Sequence, residues 1–185
     1  MADQNLKTPV DTEHASAASK ADFDLDRDVF LRTLMRELSG TLQDLVGLDE
    51  ASGFISVVGK SVGNHLNTGY QNALSLENLD KSTVVDVLVD LKRRIQGEFY
   101  VIEETDEKIV FGNSACPFGD KVNGRPSLCM MTSNVFGTIA SQNLGYAKVD
   151  LEETIANGDA GCRVTVYIKP SQEVDDANGR EYFSE

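Results

Sequence analysis

Three cysteines carry most of the chemistry this sequence can offer. Cys116 lies in Asn113-Ser114-Ala115-Cys116-Pro117-Phe118-Gly119, Cys129 follows Pro126-Ser127-Leu128, and Cys162 follows Gly158-Asp159-Ala160-Gly161. Each falls at a junction between structural elements, beside turn residues, where a cysteine used only as a small core hydrophobe has no reason to collect. Three thiolates suit a zinc ion that still lacks one ligand. They equally suit a cubane iron–sulfur cluster with one iron left open. Asp120, Asp159, Glu152, Glu153 and His65 are the candidates for the fourth position, and spacing does not separate zinc from iron. A Cys116–Cys129 disulfide would leave Cys162 unused. An odd cysteine count behind an N-terminus without a signal-peptide pattern points to metal or redox chemistry in the cytoplasm.

The elements that must position these thiols are readable from periodicity. Residues 1–25 are polar and aperiodic and are expected to be a disordered tail containing His14; residues 172–185 read as a second, acidic one. Between them, 26–171 reads as a single domain. Leu31, Leu34, Met35, Leu38, Leu42 and Leu45 predict a helix to about Val46. Gly47 and Asp49 separate it from a second helix with Phe54, Val58, Val62, Leu66 and Tyr70 along one stripe. Gly53, Gly59 and Gly63 lie close to that stripe, a helix-propensity cost best offset by the close approach of another helix. A third helix is expected over Ser82–Ile95, capped by Ser82, with Lys92-Arg93-Arg94 as solvated charges at its end.

Two strands, Glu98–Glu104 and Lys108–Asn113, then form a hairpin. A Gly-containing loop, Cys116–Arg125, leads to a fourth helix that begins at Pro126 and ends before Gly145. Cys129 would sit in its first turn, where free N–H groups and the dipole favour a thiolate. In the last hairpin Ala147, Val149 and Leu151 alternate with charged residues, and Cys162, Val164, Val166 and Ile168 share the inward phase. The expected fold is α+β: three helices, then hairpin, helix and hairpin, giving a four-stranded antiparallel sheet covered by helices.

Formal net charge is −13, with −4 in residues 1–26, −4 in residues 171–185, and −5 in the rest. That balance disfavours direct binding to nucleic acid or an anionic membrane, and no apolar run reaches the ~20 residues of a membrane span. No Cys-x-x-Cys, phosphate loop or Ser/His/Asp set marks an enzyme.

The block from Ala115-Cys116-Pro117-Phe118-Gly119 through Leu128-Cys129-Met130-Met131-Thr132, Val135-Phe136-Gly137 and Leu144-Gly145-Tyr146-Ala147 to Ile155-Ala156-Asn157-Gly158-Asp159 and Cys162 resembles the methanogen output domain 1 family. Its members are signalling domains, alone or attached to sensor and regulator modules, and the resemblance covers roughly residues 30–170. The cysteine pattern is also distantly similar to the cluster domain of iron–sulfur assembly repressors, which carry a further cysteine that Asn134–Gly145 does not supply. Glu152, Gly158-Asp159 and Cys162 resemble 4-vinyl-reductase-type sensor domains, which bind zinc and small molecules and dimerise through helices. These resemblances imply a stand-alone regulatory domain that signals redox state or a small ligand to a protein partner. The long apolar stripes of the first two helices add the expectation of a homodimer. A thiol-based redox enzyme using Cys116 and Cys129, or a structural interaction domain without metal, are the alternatives.

Overall fold

The computed structural model describes residues 18–184. Most of the expected N-terminal tail, with His14, lies outside the described residues. Two compact units divide the chain between Leu31 and Arg32. Helix α1 (Arg27–Val46) begins in the first, where Asp26 Oδ1 accepts the Val29 N–H at 2.7 Å, and continues in the second.

The second unit continues with α2 (Leu48–Leu74), α3 (Lys81–Arg94), β1 (Phe99–Glu104), β2 (Lys108–Asn113), α4 (Cys129–Leu144), β3 (Tyr146–Glu153), β4 (Cys162–Tyr167), α5 (Gln172–Asp176) and β5 (Arg180–Phe183). The α+β class and both hairpins are those the sequence predicts. Gly47, at φ 86°, breaks α1 from α2, and Gly145, at φ 89°, ends α4. Asp80, rather than Ser82, caps α3, accepting the Thr83 N–H and hydroxyl at 2.8 and 2.7 Å.

The strands form one antiparallel sheet in the order β1-β2-β4-β3-β5. Five strands replace the expected four, because residues 172–183 are structured rather than an acidic tail. Arg180-Glu181-Tyr182-Phe183 has the charge of a tail, yet Tyr182 packs over Gly137 and its hydroxyl meets Ser133 Oγ at 2.9 Å. Helix α5 covers the outer face of the sheet: Val174 is buried with Tyr146 and Tyr167, and Lys148 Nζ donates to the Val174 carbonyl at 2.6 Å. That cover buries Lys148, Thr165 and Tyr167, which simple alternation would leave in water.

On the inner face Ile109, Phe111, Ala147, Val149, Val164 and Val166 join Val84 and Leu88 of α3 and Phe136 and Ile139 of α4 in the main core. Phe136 packs edge-on against Phe99 and Phe111 at centroid distances of 5.5 and 5.4 Å.

In the first two helices small residues are buried and part of each apolar stripe is exposed, although Leu66 and Tyr70 of α2 pack against the main core. In α2 the buried residues are Ala51, Ile55, Ser56, Gly59, Gly63 and Asn67, while Phe54, Val58 and Val62 are exposed. In α1, Ser39 and Gly40 are buried, and Leu34, Leu38 and Leu45 are exposed. The physical reason is close approach to α4. A Cβ built on Gly59 would lie 2.6 Å from Asn134 Cβ, and one on Gly63 would lie 2.8 Å from Thr138 Cβ. The expected close helix contact is therefore present within the chain, although Gly53 meets nothing within 4 Å. Polar side chains bridge the seam: Asn134 Nδ2 donates to Ser56 Oγ at 3.0 Å, Gln142 Nε2 to Asn64 Oδ1 at 2.8 Å, and Asn67 Nδ2 to Gln142 Oε1 at 2.9 Å.

Candidate functional site

Strand register brings two of the cysteines to one end of the sheet. Asn113, the last residue of β2, pairs with Cys162, the first of β4. Cys116 follows three residues after Asn113, and Asn113 Nδ2 donates to Cys162 Sγ at 3.6 Å. Gly161 permits this close pass, since a Cβ there would sit 2.9 Å from the Asn113 carbonyl oxygen.

Cys129 arrives from the other layer. A short 3₁₀ turn, Pro126–Leu128, leads into α4, whose first residue is Cys129. The connecting loop is tied down at several points. Gly124, at φ 69°, donates its N–H to the Ala156 carbonyl at 2.9 Å, and Arg36 Nη1 donates to the carbonyls of Lys121 and Asn123 at 2.5 and 2.9 Å. Val122, Leu128 and Ala156 form a small second core against Cys116, Phe118 and Cys129.

All three cysteines are free, half-buried, and line one cavity of about 30 Å³. Asn113, Thr132, Thr154, Phe99 and Leu128 line it with them. The Thr154 hydroxyl is buried without a full hydrogen bond and reaches towards Cys129. Burial pushes the Cys129 thiol up to about 12; Cys162 and Cys116 add to the rise, while Thr154 and Lys92 oppose it. Burial also raises Cys116, against the Phe118 N–H that reaches its sulfur. The expected thiolate-favouring effect of the helix start on Cys129 is thus overridden by its surroundings.

Lys92 is the residue that sequence reasoning missed. Expected as a solvated helix-end charge, it is only 5% exposed. Its Nζ donates to Thr132 Oγ1 at 2.7 Å and lies 4.9 Å from the Phe99 ring centroid and 5.2 Å from that of Phe136. Burial pulls its ammonium down to about 8, and the opposing pull comes from Cys116, Cys129 and Cys162, with no carboxylate contributing. The available signal was phase: Lys92 continues the buried line through Val85 and Leu88 of α3.

None of the expected fourth ligands lines the cavity. His65 lies on the exposed side of α2, in a groove with Tyr70, Leu91 and Arg94. Asp159 Oδ2 accepts the Thr154 N–H at 2.7 Å, Glu152 accepts from Arg163 Nε at 2.9 Å and from Thr165 Oγ1, and Glu153 is exposed. Asp120 is exposed beside Lys121. Among the described residues, no group of three or more His, Cys, Asp or Glu side chains stands arranged to hold a metal ion. The thiols converge on one space without forming a finished ligand set.

The family model for methanogen output domain 1 matches residues 34–167. No curated protein matches the chain. Among solved structures, the phenol-responsive sensory domain of the transcription activator PoxR, with phenol, is similar at a TM-score of 0.57 and 15% identity, over 78% of this chain and 76% of that one. A trafficking protein particle complex subunit 3 from Naegleria fowleri, covalently bound to palmitic acid, is similar at a TM-score of 0.58 and 12% identity, over 85% of this chain and 98% of that one. At these identities the likeness is one of fold.

Proposed function

The chain belongs to the methanogen output domain 1 family, and from that premise we propose a sensory and regulatory domain that reads redox state or a small ligand at the Cys116–Cys129–Cys162 cavity and signals to a protein partner. The observation that carries this reading is the convergence of three free thiols and one buried lysine where β2, β4, α3 and α4 meet. A phenol-responsive relative of the same fold supports a small-molecule input. Free thiols suit a reducing compartment, so we assign the domain to the cytoplasm. No helix of the described residues is long and apolar enough to cross a membrane.

The occupant in this reading is zinc or an iron–sulfur cluster on the three thiolates. Because the sulfurs are not preassembled, such an occupant must draw the Cys116 loop, the start of α4 and the start of β4 together. It then favours one of two states, which is the requirement for a switch. Homodimerisation through the exposed leucines of α1 and the Phe54, Val58 and Val62 face of α2 belongs to the same proposal, with twofold symmetry as the commonest solution.

The test is metal and sulfide analysis of protein purified without oxygen. Stoichiometric zinc, or iron with sulfide, that falls in Cys116→Ser, Cys129→Ser and Cys162→Ser supports the site. Full occupancy in all three variants removes it. A structural domain with inert thiols is the second reading, favoured by the burial that raises Cys116 and Cys129. Absence of metal, together with unchanged hydrogen exchange across residues 116–130 on oxidation, selects it.

A further inference from the structure

Arg180, on the edge strand β5, lacks an acidic partner in a strongly acidic chain. The sequence holds 30 Asp and Glu against 17 Lys and Arg, yet among the described residues no carboxylate forms an ion pair with Arg180. Its neighbour Glu181 is turned to the other face by strand alternation, and there accepts the Tyr146 hydroxyl at 2.7 Å. Arg180 Nη1 donates instead to the Ser56 hydroxyl of α2. A guanidinium has five N–H donors, and this bond uses one of them.

Buried polar groups aim that guanidinium. The Ser56 hydroxyl donates to the Ser52 carbonyl at 2.6 Å and accepts Asn134 Nδ2 at 3.0 Å. Asn134 is itself held on α4 by the Met130 carbonyl at 2.7 Å, and both Ser56 and Asn134 are buried. Together they fix Arg180 in the wall of a cavity of about 410 Å³ between α2, α4 and β5. That volume falls in the ~300–1,000 Å³ range of small-molecule sites. Its charged lining is Lys60, Arg180 and Glu181, which leaves one net positive charge. Val57 and the bare backbone of Gly53 supply an apolar wall, where a Cβ on Gly53 would meet nothing within 4 Å. No lining residue is shared with the cysteine cavity.

We infer that this cavity is a second ligand site, which takes a small organic acid with its carboxylate on Arg180 and its apolar body against Gly53 and Val57. The planar guanidinium fork matches a carboxylate in shape, and one monoanion cancels the net charge of the lining. Because Ser56 and Asn134 already hold the side chain, little freedom is lost on binding. The site stands independently of whatever occupies the three thiols.

The test titrates acetate, hexanoate, benzoate, benzamide and inorganic phosphate separately into the full chain and follows backbone amide shifts by NMR. Hexanoate or benzoate should move the amides of Gly53, Ser56 and Tyr182 saturably, and bind more tightly than acetate or benzamide. Arg180→Gln should bind the better acid about tenfold or more weakly, the loss expected when a charged hydrogen-bond partner goes. If that variant does not fold, Gly53→Leu reads the same loss: it fills the open space, leaves every bond of Arg180 in place and favours the helix. No saturable shift at these amides with any of the acids overturns the site. Equal affinity for benzoate and benzamide, or undiminished binding by the folded variant, overturns recognition of the charge by Arg180. Phosphate binding more tightly than both longer acids overturns the assignment to carboxylates.

Discussion

At the first position of α4, backbone and surroundings act on a thiol in opposite directions. The helix end contributes ~0.3–1 kcal/mol towards the anion, less than the ~1.4 kcal/mol that moves a pKa by one. Burial among Leu128, Val122 and the other two cysteines is the larger effect, and Cys129 rises to about 12. In the reduced, metal-free protein at pH 8, Cys129 should therefore react with iodoacetamide at least ~tenfold more slowly than in the urea-unfolded chain, because far less of it is thiolate. Mass spectrometry of timed samples reads this, and equal rates would place the sulfur in water. The meeting of Cys116, Cys129 and Cys162 was legible in the sequence because strand alternation set the phase of Cys162 and turn residues marked the junctions of the other two. Lys92 was hidden by its neighbours: two arginines beside it read as a solvated helix end, although its spacing from Leu88 placed it on the buried face. The placement of the carboxylates was not legible for a related reason. Proximity in sequence to Cys162 says nothing about Asp159 being engaged by the Thr154 N–H.

At the scale of elements, small residues rather than large ones decide which way α2 faces. Gly59 and Gly63 let its backbone come against Asn134 and Thr138 of α4, and the polar bridges of that seam need this distance. Gly63→Ala should destabilise the fold by ~1–3 kcal/mol through overpacking, measured as a shift in the urea midpoint, because the atom it meets is the Cβ of Thr138 and not the far end of a flexible chain. An unchanged midpoint would show that the two helices can separate at no cost. Apolar periodicity located this helix, while its glycines set the direction it faces: Leu66 and Tyr70 of the stripe pack against the main core, and Phe54, Val58 and Val62 stay exposed. The C-terminal segment makes the complementary case. Its composition reads as a tail, but α5 and β5 cover Tyr146, Lys148 and Tyr167 and complete one edge of the sheet. Ending the chain after Pro170 should lower the melting temperature by several degrees, whereas loss of a disordered tail would leave it unchanged.

For the molecule as a whole, Leu34, Leu38, Leu45, Phe54, Val57, Val58 and Val62 leave the first two helices with apolar side chains in water. Single exposed hydrophobics are ordinary, but a run of them along two consecutive helices is the basis of the proposed dimer. Sedimentation should give a dimer at micromolar concentration, and Leu38→Glu with Val58→Glu should give a folded monomer. A monomeric wild type would remove the dimer from the proposal. The interleaved strand order also has a kinetic side. Strand β2 takes its second neighbour from β4, which follows α4 and β3 along the chain, so the three cysteines share no enclosure until that long-range pairing forms. Contacts so far apart along the chain form slowly. Until then each sulfur is an ordinary solvated thiol, open to any oxidant, and the wait for β4 is the stretch of the molecule's life in which a wrong disulfide can intercept it.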